Sequence, residues 1–185
     1  MVVLRRAAGA VLALGLLVGT ARAGQQQDAE RELKAVFLYN FAKFVEWPPG
    51  GFPEPPAPVT LCVLGDDAVG ESLEAVVKGE TLNGRRLVVR RPRDAQQARD
   101  CHVLFVGPAE KGRIPEVLTA LRGTSVLTVG DGGDFLDHGG MIRFFLEQNR
   151  VRFDINLDAA ERSHLSLSSK LLRLARAVNP QRREG

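Results

Sequence analysis

The sequence predicts an α/β fold: a single domain in which a largely parallel sheet is flanked by helices and ends in a C-terminal antiparallel hairpin edge. Short apolar runs alternate with amphipathic segments from residue 59 to residue 129. This alternation is typical of βαβ crossovers, which place consecutive strands parallel. Further along, the runs 141–146 and 151–155 are separated by only four residues, which indicates a hairpin.

The first 23 residues have the pattern of a secretory signal peptide. Arg5 and Arg6 precede an apolar run, and Ala21 and Ala23 supply the small residues of a cleavage site. The run is shorter than the roughly 20 residues that a transmembrane helix needs. We therefore expect cleavage after Ala23, a periplasmic location, a domain over residues 24–178 and a polar tail at 179–185.

The net charge argues against one class of function. The formal charge of +3 comes from the predicted signal peptide, which contains three arginines and no acidic residue. Without these arginines, 22 basic side chains balance 22 acidic ones. This balance excludes a nucleic-acid binder that depends on a strongly basic surface.

An amphipathic helix is predicted at the start of the mature chain. Its apolar residues recur at helical spacing, which predicts a buried stripe made of Ala29, Leu33, Val36, Phe37, Phe41 and Phe44. Pro48 and Pro49 disfavour helical geometry immediately before them, so the helix should end between Val45 and Trp47.

The alternating region supplies the parallel part of the sheet. The predicted strands are residues 59–64, 87–90, 101–106 and 125–129. The predicted helices lie between them: one that begins at an Asp67 N-cap, a short one over 93–99, and one that contains Ile114 and Leu121. After the hairpin, whose predicted turn is 147–150, residues 157–162 and 168–178 are predicted helices.

Cys62 and Cys101 are the only two cysteines, and both fall in predicted strands of the βαβ region. If those strands are neighbours, the sulfurs lie within reach of a disulfide, and an oxidising compartment permits the bond. Closing a loop of about 40 residues would stabilise the fold by about 4 kcal/mol. The alternative is a pair of buried free thiols that pack as small hydrophobic groups.

No residue pattern predicts a catalytic, cofactor-binding or metal-binding site. His102, His138 and His164 share no metal-ligand spacing, and the glycine loops 65–70 and 130–133 lack the Lys-Ser/Thr pair of a phosphate-binding loop. We therefore interpret the histidines as surface or half-buried residues and the loops as turns. No enzymatic activity is expected.

Aromatic residues are concentrated around the end of the first helix. Some of them must pack against the core, but Trp47 beside Pro48 can also anchor a partner, because tryptophan is enriched at interfaces. The sequence therefore predicts a partner-binding surface made of Phe44, Glu46, Trp47 and Pro48.

Three parts of the sequence, taken together, resemble the YfiR family of bacterial periplasmic proteins. They are residues 37–48 (FLYNFAKFVEWP), residues 61–67 (LCVLGDD), and the C-terminal segments 140–142, 151–156 and 168–172. The resemblance implies an α/β fold, a homodimer, and a regulatory rather than a catalytic role.

The resemblance also implies partners. Characterised relatives bind the periplasmic domain of an inner-membrane diguanylate cyclase and hold it inactive, and an OmpA-like outer-membrane lipoprotein releases the cyclase by sequestering them. Cys62 and Cys101 match one cysteine pair of that system. A second pair, toward the C-terminal hairpin, is missing from this chain.

Two hypotheses follow. The first is a periplasmic signalling regulator that binds and represses the periplasmic domain of an inner-membrane sensor, a diguanylate cyclase of c-di-GMP signalling. The alternative is a small-molecule-binding accessory subunit of a membrane sensor kinase. Its pocket would lie at the carboxyl ends of the parallel strands, near residues 65–67 and Gly107.

Overall fold

The computed structural model of the 185-residue chain describes residues 11–51 and 57–179, with side chains from residue 24 onward. Within these residues the helices are α1 (Val11–Phe44), α2 (Asp67–Val77), α3 (Ile114–Ala120), α4 (Leu157–Arg162) and α5 (Ser169–Leu174). The strands are β1 (Val45–Glu46), β2 (Val59–Leu64), β3 (Thr81–Leu82), β4 (Arg85–Arg90), β5 (Val103–Val106), β6 (Leu127–Asp131), β7 (Ile142–Glu147), β8 (Arg150–Ile155), β9 (Ser166–Leu167) and β10 (Ala177–Val178). Short 3-10 helices span Gln97–Asp100 and Pro108–Arg113.

The described strands form one large sheet and one small one. The large sheet has the order β10-β8-β7-β6-β5-β2-β4-β3, and the small one pairs β1 with β9. Strands β4, β2, β5, β6 and β7 run parallel, whereas β7 and β8 form an antiparallel hairpin. The predicted fold class is confirmed, and β10 adds a short parallel strand beyond the hairpin.

Both faces of the sheet centre are covered, which explains the unbroken apolar run of β2. Leu61 and Val63 belong to the core beneath α1 and α2. Cys62 and Leu64 belong to a second core beneath α3. A strand that is buried on both sides has no polar face, so its sequence shows no alternation.

Only the second half of the predicted stripe of α1, from Phe37 onward, packs against the sheet. Ala29 is exposed, Leu33 is 41% exposed and Val36 is 39% exposed, so the predicted burial of these three residues is wrong. The buried face instead carries Ala35 and Leu38, and Lys34, which is only 5% exposed. The Lys34 ammonium lies 2.6 Å from Asp131 and 2.5 Å from Glu30, so paired charge replaces apolar contact at this position of the helix.

Aromatic rings near the C-terminal end of α1 pack against the β7–β8 hairpin. The Phe41 ring stacks on that of Phe144, with centroids 5.6 Å apart, and meets that of Phe153 edge-on at 5.1 Å. Phe37 meets Phe153 in the same edge-on manner. Such pairs add to the free energy of burial, so they fix the orientation of the C-terminal part of α1 on the sheet.

Three predictions of local structure are wrong in their details. The N-cap of α2 is Asp66 and not Asp67, since Asp66 Oδ1 accepts a hydrogen bond from the Val69 amide at 3.1 Å. The predicted helix over 93–99 is a single 3-10 turn at Gln97–Asp100. The hairpin turn is also tighter than predicted, because Gln148 and Asn149 both take positive φ and leave two residues between the strands.

The predicted helix over 168–178 ends early, at Leu174. The cause is the fully buried carboxylate of Asp154, which draws the chain back to the sheet. Arg176 donates to both Asp154 oxygens at 2.9 and 2.6 Å, and Arg143 donates to Asp154 at 2.7 Å. Residues 177–178 consequently pair with β8 as a strand. An aspartate between Phe153 and Ile155 was the sequence signal for such a cluster, because a buried acid requires partners.

The ends of the chain limit two further predictions. The predicted signal peptide, residues 1–23, lies outside the residues whose side chains are described, as do tail residues 180–185. Asn179 is described, and its side-chain oxygen accepts a hydrogen bond from the Leu157 amide at the start of α4.

Among the described residues, no helix combines the length and apolarity that crossing a membrane requires.

Candidate partner-binding site

The predicted partner-binding residues lie where the chain leaves α1. Phe44 is the last residue of the helix, and its carbonyl oxygen accepts a hydrogen bond from the Ser168 amide at 2.9 Å. Val45 then pairs with Leu167 and Glu46 with Ser166 in the small β1–β9 sheet. The backbone of β1 is therefore held by its pairing with β9, which lies about 120 residues further along the chain.

Side chains alternate along this segment, as they do in any strand. Val45 is buried, Glu46 is exposed, and Phe44, Trp47 and Pro48 are half-buried. Phe44 and Trp47 both pack against the core beneath α1. The exposed part of the predicted surface is consequently centred on Glu46.

Trp47 belongs to the scaffold as well as to the surface. Its indole Nε1 donates to the carbonyl oxygen of Ser125 at 2.9 Å. Its ring meets that of His102 edge-on, with the two centroids 6.0 Å apart. These contacts join the end of α1 to the starts of β5 and β6, a connection between distant residues that the sequence does not predict.

His102 is buried, at 6% exposure, and not on the surface or half-buried as predicted. Its Nδ1 accepts a hydrogen bond from the Thr60 amide at 2.9 Å, and its own amide donates to the Thr60 carbonyl at 2.8 Å. Burial lowers the pKa of the imidazole below its usual 6.5, and the charge of Arg85 acts in the same direction. The ring therefore serves as a neutral acceptor that completes the pairing between β2 and β5.

The disulfide lies next to this histidine. Cys62 lies in β2 and Cys101 lies two residues before β5, and the two are bonded with their Cα atoms 6.0 Å apart. Both residues are buried in the core beneath α3. The disulfide therefore links β2 to the residues before β5 within the core beneath α3, whereas Trp47 packs against the core beneath α1.

At the carboxyl ends of β2 and β5, where the alternative hypothesis places a pocket, the described residues pack closely around two glycines. At the carboxyl ends, Glu110 lies against Gly65, where a Cβ atom would come within 2.5 Å of its Cγ. A Cβ atom on Gly107 would come within 2.6 Å of both Asp66 and the Gly65 carbonyl. The protein itself fills the space between these two strand ends.

The next question is whether side chains that can bind a metal ion lie close together. Across ranges 24–51 and 57–179, no group of three or more His, Cys, Asp or Glu side chains is arranged to hold a metal ion. His138 pairs instead with Asp134 at 2.9 Å.

Comparison with known proteins decides the family. The sequence profile described as YfiR/HmsC-like matches residues 31–176. The chain belongs to the YfiR/HmsC-like family. Membership indicates a periplasmic regulator of c-di-GMP signalling in general, in a family that is regulatory rather than catalytic.

Solved structures share only the fold. A conserved domain protein from Vibrio cholerae superposes with a TM-score of 0.51 at 12% identity, covering 65% of this chain and 54% of that one. An ABC domain from Streptococcus pneumonia, solved in complex with L-Trp, gives a TM-score of 0.50 at 10% identity, covering 64% of this chain and 54% of the other. This YfiR/HmsC-like chain therefore spans about half the length of both.

Proposed function

We propose that this protein binds the periplasmic domain of an inner-membrane diguanylate cyclase and holds the enzyme inactive. The observation that carries the proposal is the family match over residues 31–176, which includes every element of the candidate surface. The periplasmic location would follow from cleavage after Ala23, and the Cys62–Cys101 disulfide suits an oxidising compartment.

The candidate surface suits a partner that must be recognised without rearrangement. The backbone of Glu46 is held by the β1–β9 pairing and that of Phe44 by the hydrogen bond from the Ser168 amide, and Trp47 is fixed by its hydrogen bond to Ser125. Binding to such a fixed segment costs little conformational entropy, so more of the contact energy remains as affinity. Pro48 adds a rigid, half-buried apolar edge beside Glu46.

Repression would act by differential affinity for two arrangements of the cyclase. A regulator shifts such an equilibrium only by the ratio of its affinities for the two states. Moving the cyclase from almost fully active to almost fully inactive requires a ratio of about 10⁴. The protein needs no catalytic group of its own for this.

Two further partners belong to the same proposal. A homodimer would present two copies of the surface to a dimeric cyclase. An OmpA-like outer-membrane lipoprotein would relieve repression by sequestering the regulator.

The first experiment identifies the partner. The protein is used to capture its binding partner from solubilised envelopes, and neighbouring reading frames are inspected for a membrane protein with a GGDEF domain. Deleting the regulator should raise cellular c-di-GMP, because the cyclase is then no longer held inactive. If the captured protein is a sensor kinase with no GGDEF domain and the cellular c-di-GMP level does not change, the partner is a kinase and the proposed cyclase is wrong.

The second experiment tests the surface. Glu46→Lys reverses the charge of an exposed side chain at its centre without touching the core, and Glu32→Lys makes the same change at an exposed position of α1 outside the surface. Binding of each purified variant to the captured cyclase's periplasmic domain is measured by biolayer interferometry. We expect Glu46→Lys to weaken binding about tenfold, which corresponds to about 1.4 kcal/mol. Equal affinities of the two variants would place the interface elsewhere.

A further inference from the structure

A cavity of about 360 Å³ lies between the end of α3 and α4, beside the start of β6. Its apolar lining consists of side chains that the fold already buries: Leu118, Leu121, Val126, Met141 and Ala159. The volume is near the lower end of the range for small-molecule sites. The cavity therefore has room for a compact apolar group of roughly a dozen water volumes.

The rim of this cavity is positively charged. Arg122 and Arg162 line it, both are exposed, and neither forms an ion pair with an acidic side chain of the described residues. His138 also lines the rim and is paired with Asp134. No aspartate or glutamate among the described residues lines the cavity. Elsewhere in the described residues, Arg143 and Arg176 are neutralised by the buried carboxylate of Asp154.

A buried hydroxyl group adds one polar point to the lining. Thr128 is almost fully buried, and its Oγ1 accepts a hydrogen bond from the Met141 amide at 3.2 Å. That bond uses a lone pair and leaves the hydroxyl hydrogen available as a donor. The cavity thus combines an apolar lining with two cationic donors, Arg122 and Arg162, and with the hydroxyl groups of Thr128 and Ser163.

We propose that this cavity binds a small monocarboxylate with an apolar body, such as a medium-chain fatty acid or an arylalkanoic acid. The apolar body would be removed from water by the buried lining. The carboxylate would accept charge-assisted hydrogen bonds from Arg122 and Arg162, whose planar guanidinium groups match carboxylate geometry. This site is separate from the Glu46 surface, and the proposal does not depend on the identity of the protein partner.

Isothermal titration calorimetry of the purified full chain with octanoate and with 3-phenylpropanoate tests the proposal. We expect saturable binding of at least one of these acids, and octanol and octylammonium should bind at least tenfold more weakly than octanoate, because they lack the negative charge. Arg122→Gln and Arg162→Gln should each weaken binding about tenfold. Arg173→Gln, at an exposed position of α5 outside the cavity, is the matched control and should leave the affinity unchanged.

Filling the cavity provides a second, independent test. Ala159→Leu extends a side chain into the lining and should abolish binding of the acid while the protein stays folded by circular dichroism. If this variant does not fold, the exposed arginine variants decide the question, since they leave the core intact. The proposal is overturned if neither acid binds at about 10 mM, if octylammonium binds as well as octanoate, or if the Arg122 and Arg162 variants behave like the Arg173 control.

Discussion

The indole of Trp47 donates a hydrogen bond to the carbonyl oxygen of Ser125, a residue 78 positions further along the chain. The bond joins the end of α1 to the start of β6 and places the tryptophan ring against His102. Trp47 therefore supports the fold at the same place where a partner would meet its exposed edge.

Two substitutions separate these roles of Trp47. Trp47→Phe keeps a ring but loses the donor, and should lower the free energy of unfolding by about 1 kcal/mol. Trp47→Ala also loses the packing and should lower it by about 3 kcal/mol, the lower end of the range for a large aromatic because the residue is half-buried. Urea unfolding followed by circular dichroism measures both, since the protein's only tryptophan is removed. If Trp47→Ala cost less than about 0.5 kcal/mol, Trp47 would be a surface residue alone.

The disulfide should account for a large part of the stability. Cys62 and Cys101 enclose a separation of 39 residues, for which the chain-entropy relation gives about 4 kcal/mol. The double variant Cys62→Ala/Cys101→Ala should unfold at correspondingly lower urea concentration, and dithiothreitol should shift the wild-type curve but leave that of the variant unchanged.

Alkylation tests whether the bond forms in the exported protein. Both residues are buried, so free thiols would also resist labelling in the folded state. The protein is therefore unfolded in denaturant without reductant, treated with iodoacetamide and weighed by mass spectrometry. Unlabelled cysteines are expected, and the addition of two carbamidomethyl groups before reduction would show that the thiols are free.

The sequence predicts the elements that carry their own pattern and misses those that depend on a distant partner. β2 is recognisable because burial on both faces makes it uniformly apolar. β1, β9 and β10 have two residues each and exist only because Val45 meets Leu167 and Ala177 meets Asp154. No local periodicity can show such pairings.

The same reasoning applies to the candidate site. Glu46 and Pro48 could be placed at a helix exit, because proline constrains the residues before it. The burial of His102 could not be predicted, because it depends on the Thr60 amide that the fold brings to its ring. The error over Leu33 and Val36 has a comparable cause, since Asp131 pairs with Lys34 from 97 residues away.

The ion pair between Lys34 and Asp131 should be costly to break. Burial alone would lower the pKa of Lys34, but its hydrogen bonds to Asp131 and Glu30 outweigh that effect and raise it. Lys34→Met leaves two carboxylates without their cation and should cost about 3 kcal/mol of unfolding free energy. Adding Asp131→Asn should recover part of the loss, which a double-mutant cycle by urea unfolding measures. Strictly additive losses would show that the two side chains do not interact.

The buried imidazole of His102 should make the stability depend on pH. Burial lowers its pKa in the folded state, whereas the unfolded chain takes up a proton near pH 6.5. The unfolded state then binds more protons, so stability is fully present above pH 6.5 and falls as the pH drops below it. The slope reaches at most about 1.4 kcal/mol per pH unit.

His102→Asn provides the comparison, because its amide oxygen can still accept a hydrogen bond and does not titrate. The free energy of unfolding is measured in urea at half-unit intervals between pH 8 and pH 5 for both proteins. We expect the variant to be less stable at pH 8, because it loses the ring contact with Trp47, and we expect the difference to shrink as the pH falls. A constant difference would show that the folded protein accepts a proton on His102 as readily as the unfolded chain does, and a difference that grew toward pH 5 would show that it does so more readily.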